Sequence, residues 1–221
     1  MNLETINYET RDGVAHVRFA RQGGANTVNP HFSRELRDVM LEMEGDEQVK
    51  AVSVTADGKV CHAGGDLKEF HEAGEGLPKL ASGMLTDFHG GIYKMNRMPK
   101  PFVAGVNGAA GGAGLSIVSA FDLVVAGESA QFTMAYTRAG GTPDGTSTYF
   151  VARHIGVRRM LDLTLTNRVL SAREAEEWGL VNRVVPDSEV GAATAELAQS
   201  LADGPAWALG HAKQIVYAGF N

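Results

Sequence analysis

The sequence predicts an α/β fold, and three observations predict it. Short β-prone runs alternate with amphipathic helical stretches along the chain. Two apolar runs pass through turns of small residues directly into helices, VCHAGGDLKEF at 60–70 and PFVAGVNGAAGGAGLSIVSAF at 101–121. No repeat of 20–50 residues and no low-complexity segment interrupts this pattern.

Taken in order, residues 6–9 and 14–19 are β-prone runs flanking Arg11-Asp12-Gly13, a hairpin signal. A polar loop fills 21–29. Pro30 opens a helix to residue 43, with Phe32, Leu36, Val39, Met40 and Met43 on one face. Residues 51–55 read as a buried strand, 67–71 as a helical turn and 73–79 as a loop. Residues 80–98 form an amphipathic helix striped by Leu85, Phe88, Ile92 and Met95, with His89 beside the stripe. A strand opens at Pro101, and NGAAGGAG at 107–114 follows as a turn nearly bare of side chains. LSIVSAF is apolar nearly all round, which predicts a central helix.

Strands are expected at 120–126 and 131–133, a loop at 140–145, and helices at 146–155, 158–166 and 172–178. A short strand at 181–185 and helices at 189–202 and 205–217 complete the chain. The expected organisation is a core over 1–186 and a C-terminal helical region over 187–221.

The 221 residues suffice for a sizeable core in one domain, and 44% hydrophobic with 21% charged residues suits a soluble globular chain. A formal net charge of -6 without a basic block argues against nucleic acid as a partner. The single cysteine, Cys61, allows no intrachain disulfide and fits a reducing cytoplasm. MNLETINYET lacks the charged and apolar regions of a secretory signal, and no apolar run is long enough to span a bilayer.

Two small-residue turns, each opening a helix, can aim one backbone N–H apiece at a single oxygen. Such an oxyanion hole suits a carbonyl that becomes an enolate or a tetrahedral oxyanion. Ala63-Gly64-Gly65-Asp66-Leu67, then Val106-Asn107-Gly108 through Gly111-Gly112-Ala113-Gly114, then Ala130-Gln131-Phe132 through Pro143 resemble, in this order, the motifs of the crotonase (enoyl-CoA hydratase/isomerase) superfamily. The resemblance extends to about residue 217. It implies a crotonase-like spiral of ββα units with C-terminal helices, an acyl-CoA substrate, and a homotrimer or dimer of trimers. Coenzyme A would enter as part of the substrate, with no separate cofactor.

Carried over by the resemblance, the oxyanion donors are Gly65 and Ala113, each contributing about 3–4 kcal/mol to the barrier in a water-poor site. The resemblance also places Ala25 and Asn26 at the CoA end. Ala63, Asp66, Leu67, Gly108 and Gly112 flank the donors as substrate-binding positions, and Lys68 is a candidate for a CoA phosphate. The two glutamates that hydratases of the superfamily use fall on Ser116 and Tyr136, neither of which is a carboxylate. Ser116 reads as helix filling, since no base is evident beside it.

The remaining acid is Asp144, at a position where relatives carry an aspartate near the acyl group. Residues 135–144 resemble the phenylacetate-pathway enoyl-CoA isomerase branch, in which one carboxylate shuttles a proton between carbons. The 4-chlorobenzoyl-CoA dehalogenase branch also has an aspartate there, as nucleophile, with a histidine base spaced from a proline as His89 is from Pro101. Its tryptophan partner of the aspartate corresponds to Tyr136 and its aromatic oxyanion residue to Gly65. Isomerisation is the leading expectation. Aryl-CoA hydrolysis, generic hydration and CoA binding without turnover are the alternatives. The other histidines show no zinc spacing, and no Walker or dinucleotide fingerprint occurs.

Overall fold

A computed structural model describes residues 3–219; residues 1–2 and 220–221, the outer ends of the two expected regions, lie outside it. The strands are β1 (Ile6–Arg11), β2 (Val14–Phe19), β3 (Ala51–Ala56), β4 (Val60–His62), β5 (Phe102–Val106), β6 (Ala109–Gly111), β7 (Leu123–Gly127), β8 (Gln131–Thr133), β9 (Leu170–Ser171) and β10 (Arg183–Val185). The helices are α1 (Pro30–Gly45), α2 (Leu67–Ala73), α3 (Leu77–Arg97), α4 (Ala113–Ser119), α5 (Ser147–Ile155), α6 (Val157–Thr166), α7 (Ala172–Trp178), α8 (Val190–Ala202) and α9 (Ala206–Ala218).

A six-stranded sheet runs β1-β2-β3-β5-β7-β10, parallel except for the β1–β2 hairpin. A four-stranded sheet runs β4-β6-β8-β9, in which β4, β6 and β8 are parallel neighbours. The chain therefore winds as a spiral. Each turn takes one strand in the large sheet, one short strand in the small sheet, and then helix: β3-β4-α2/α3, β5-β6-α4, β7-β8-α5/α6.

The physical reason lies in the burial. All five residues of β5 are buried, as a strand covered on both faces requires. Val14, Ala51 and Val103 pack with Ala198 and Ala202 of α8 on one face of the large sheet. Phe19, Val52, Val54, Phe102 and Ala104 join the main core, with Phe32, Phe88 and Leu115. Helix α1 starts as the sequence predicts: the Asn29 side chain accepts from Phe32 N–H, and Pro30 occupies the first turn.

Three expectations are corrected. The segment 73–79 is no open loop, because a 3-10 turn at Gly74–Gly76 leads into α3 at Leu77. The glycine-rich 107–114 stretch contains β6, although Ala-Ala-Gly has little β propensity; ladder bonds to β4 and β8 on both sides hold it. Strand β7 starts at Leu123 rather than residue 120, because Ala120 ends α4.

Candidate active site

The spiral brings three equivalent corners together. Residues 63–66 follow β4, Gly112 and Ala113 follow β6, and 134–136 follow β8; since these strands are parallel neighbours, their C-terminal ends lie side by side. They border a cavity of about 450 Å³ whose walls include Gly65, Ala113, Tyr136 and Asp144. Leu67, Phe70, Leu77, Met84, Leu85 and Phe88 give it an apolar side. A larger groove of about 730 Å³ at the N-terminal edge borders Arg18, Arg21, His31 and Asp57 and touches neither turn.

In the first turn the N–H groups are spoken for, with one exception. Ala63 N–H donates to Asn26 O at 2.8 Å, Gly64 N–H to His62 Nδ1 at 3.2 Å, and Asp66 N–H to Val28 O at 3.0 Å. Gly64 O accepts from Val28 N–H at 2.7 Å. Gly65 N–H has no acceptor among the described residues and borders the cavity. The second turn repeats the arrangement: Gly112 N–H donates to Thr133 O at 3.1 Å, and Ala113 N–H is the first of α4, without an acceptor. The turns touch through Gly64, where φ is +94° and an added Cβ would lie 2.6 Å from Gly111 O and 3.3 Å from Ala113 N. Two free donors on two abutting turns are the arrangement that an oxyanion hole requires.

Tyr136 Oη lies 2.6 Å from Asp144 Oδ1 and 2.6 Å from Ser116 Oγ. A carboxylate accepts only, so the phenol gives its one proton to Asp144 and the serine hydroxyl is the donor toward the phenol. Burial first, and then the Asp144 carboxylate, push the Tyr136 phenol far above its ordinary value, so it stays a protonated donor. No described residue bonds Asp144 Oδ2. Ser116, read as helix filling, is a fully buried member of this chain and also lies 3.0 Å from Asp144 O. Flanking backbone is held in the left-handed region at Ala135 (φ 49°) and Thr146 (φ 67°).

His89 packs behind the 140–145 loop, where its Nε2 accepts from Gly145 N–H at 3.3 Å; it does not border the cavity. Asp66 caps α2 through Glu69 N–H and pairs with Arg21 at 2.6 Å. Burial alone would raise its carboxyl, but Arg21, Glu69 N–H and Thr27 outweigh that and hold it below the usual range. Asp66 thus shapes the turn and does not face the cavity. Gly108 is also a packing position, because any Cβ there would collide with Lys59 O. Ala63, Gly112 and Leu67 border the cavity, Lys68 is exposed and pairs with Glu72 at 3.9 Å, and Ala25 is exposed on its loop. Burial pushes the Cys61 thiol up to about 12 and leaves it unreactive.

Sequence reasoning missed Phe70. Its ring occupies the space beside Gly65: a Cβ on Gly65 would lie 2.6 Å from Phe70 Cε2. The aromatic wall that a side chain at Gly65 would build comes instead from one turn further along. Only the i+5 distance from Gly65 could have hinted at it.

Residues 9–221 match the family described as enoyl-CoA hydratase/isomerase. The 4-chlorobenzoyl coenzyme A dehalogenase-2 of Arthrobacter sp is 35% identical over 216 residues, covering 97% of this chain and 78% of that one. The 1,2-epoxyphenylacetyl-CoA isomerase of Escherichia coli K12 is 30% identical, covering 97% and 82%. The crystal structure of an enoyl-CoA hydratase from Mycobacterium avium subsp. paratuberculosis superposes with a TM-score of 0.89 at 28% identity, covering 99% and 87%.

Proposed function

Because the chain belongs to the enoyl-CoA hydratase/isomerase family, we propose that it moves a proton along the acyl group of a CoA thioester, with Asp144 as the shuttle. The thioester oxygen accepts from Gly65 and Ala113 N–H. Asp144 Oδ2 takes a proton from the α-carbon, and the C–H electron pair shifts into the conjugated system as negative charge collects on that oxygen. The protonated Asp144 then returns the proton to the γ-carbon, and the double bond moves into conjugation. No cofactor enters beyond the CoA carried by the substrate.

The observation that carries this reading is the carboxylate count. Of the side chains bordering the cavity, Asp144 is the acid, and Tyr136 is bonded both to it and to the buried Ser116 behind. One carboxylate with one free oxygen suits a proton carried out and back; holding and activating a water between two carboxylates is not available. The self-association that the resemblance implies belongs to the same reading.

A second reading is displacement on an aryl-CoA, with Asp144 Oδ2 as nucleophile and His89 as base for water. The 35% identity to the dehalogenase favours it, and the engagement of His89 Nε2 with Gly145 N–H weighs against it.

The test is product mass spectrometry with a 3-enoyl-CoA, a 2-enoyl-CoA and a 4-halobenzoyl-CoA, beside Asp144→Asn. An isomeric product of unchanged mass from the 3-enoyl thioester is expected, falling about 10²–10⁴-fold in the variant. Exchange of halide for hydroxyl would transfer the assignment to the second reading. Water added to the 2-enoyl thioester would overturn the carboxylate argument.

A further inference from the structure

His62 is buried completely and takes no part in the chemistry above. It stands between the two turns that do. Its ring sits edge-on to Phe19 and Phe32, with centroids 5.9 Å and 5.0 Å away. Its Nδ1 accepts from Gly64 N–H. A backbone N–H can only donate, so Nδ1 carries the lone pair and the neutral ring has its proton on Nε2. That Nε2 is buried and has no partner among the described residues.

An unpaired buried donor costs stability. A leucine or phenylalanine would fill an aromatic-lined space without that cost. The ring's backbone side also matters. A Cβ on Gly114, one residue past the Ala113 donor, would collide with the His62 carbonyl and lie 3.0 Å from His62 Cβ. His62 thus holds the first turn with its ring and seats the start of α4 with its backbone.

We infer that His62 is a positioning residue of the oxyanion hole: its Nδ1 fixes the Gly64 peptide so that the neighbouring Gly65 N–H points into the cavity beside that of Ala113. The inference rests on the oxyanion reading given above. Gly64 has no side chain and a positive φ, so the peptide before it, held by His62 through Gly64 N–H, sets the course of the peptide after it, which carries Gly65 N–H. Val28, which also borders the cavity, holds the following peptide through Gly64 O and the end of the turn through Asp66 N–H. With Nδ1 removed, Gly64 N–H would seek another acceptor, and rotation of that unit tilts the next N–H as well. Burial pushes the ring's pKa down to about 3, which keeps the acceptor lone pair in place throughout the neutral range.

The experiment uses benzoyl-CoA carrying carbon-13 at its carbonyl. It has no α-proton and no halide, so neither proposed reaction consumes it. Isotope-edited infrared difference spectra read the carbonyl stretch of the bound thioester, which an oxyanion hole lowers. The proteins are wild type, His62→Leu and His62→Asn, in which Asn Oδ1 replaces the Nδ1 acceptor. The expected result is a lowered stretch in wild type and His62→Asn, and its loss in His62→Leu. In turnover of the 3-enoyl-CoA, kcat of His62→Leu falls about 10–100-fold with KM little changed, while its melting temperature holds or rises.

A full shift retained in His62→Leu would overturn the inference and leave the oxyanion reading intact. Equal loss in His62→Asn would overturn it too, by showing that ring shape rather than the acceptor matters. No shift in bound wild-type protein would overturn the oxyanion reading, and this inference with it. Should His62→Leu fail to fold, His62→Met supplies the apolar arm.

Discussion

The Tyr136 phenol donates to Asp144 Oδ1 across 2.6 Å, joining the corner after β8 to the loop that precedes α5. The bond selects which carboxylate oxygen is available, because Oδ1 is occupied and Oδ2 is left to the cavity. Tyr136→Phe removes it with little change of shape. A hydrogen bond to a charged group contributes roughly 1.5–3 kcal/mol, so kcat should fall about 10–100-fold. KM for the acyl-CoA should stay within about threefold, since the phenol orients the acid rather than the thioester. Steady-state kinetics on the 3-enoyl-CoA read both, and an unchanged kcat would remove Tyr136 from the site.

Neighbouring glycines of the first turn should respond differently to the same methyl group. At Gly64 a Cβ meets Gly111 O and Ala113 N, both backbone, at a φ that alanine adopts at a cost. Gly64→Ala should lose about 1–3 kcal/mol in a denaturant melt and most of its activity. At Gly65 the Cβ meets the far edge of the Phe70 ring, which can swing aside. Gly65→Ala should therefore fold with near-wild-type stability and show its effect in KM. Equal melting of both variants would contradict the packing argument.

Arg21 and Asp66 give the first turn a pH dependence whose sign follows from the depressed carboxyl of Asp66. A carboxyl held below its unfolded value adds stability that is complete above about pH 4, its ordinary range, and lost as pH falls through the folded value. Arg21→Gln should be less stable than wild type at pH 6–7, and the difference should shrink below about pH 4. Urea melts at pH 7 and pH 3 measure it. A difference independent of pH would mean that Arg21 acts through packing alone.

Lys213 of α9 is buried against the core, with Nζ 2.8 Å from Asp122 Oδ2, 2.8 Å from Met95 O and 3.0 Å from Lys100 O. Asp122 also accepts from Phe102 N–H and Tyr217 O–H. Lys213→Met strands the carboxylate and should cost about 3–5 kcal/mol by denaturant titration. Adding Asp122→Asn should recover part of the loss, because the uncompensated charge is then gone. A double variant no better than the single one would show that the carbonyl contacts carry the effect.

The order of strands and helices could be read along the chain, because each signal there is local. Alternating apolar runs, Pro30 after the Asn29 cap, and small residues ahead of Asp66 and Ala113 all act within a turn or two. Local signals marked the two small-residue turns, and the resemblance carried by their motifs singled out Gly65, Ala113 and Asp144 as a candidate set.

What the tertiary structure decided are relations with no local signature. Strand β6 exists because its neighbours β4 and β8 offer ladder bonds to Ala-Ala-Gly, residues of low β propensity. The parallel pairing of β4, β6 and β8 sets three corners beside one cavity. Ser116 and Tyr136 are twenty residues apart, and only the spiral joins them to Asp144. Phe70 fills the space beside Gly65, and the rings of Phe19 and Phe32 from two distant segments pack edge-on against His62, because core side chains close-pack against whatever the fold sets beside them. Such packing demands are met in three dimensions, by whichever side chain the fold brings within reach.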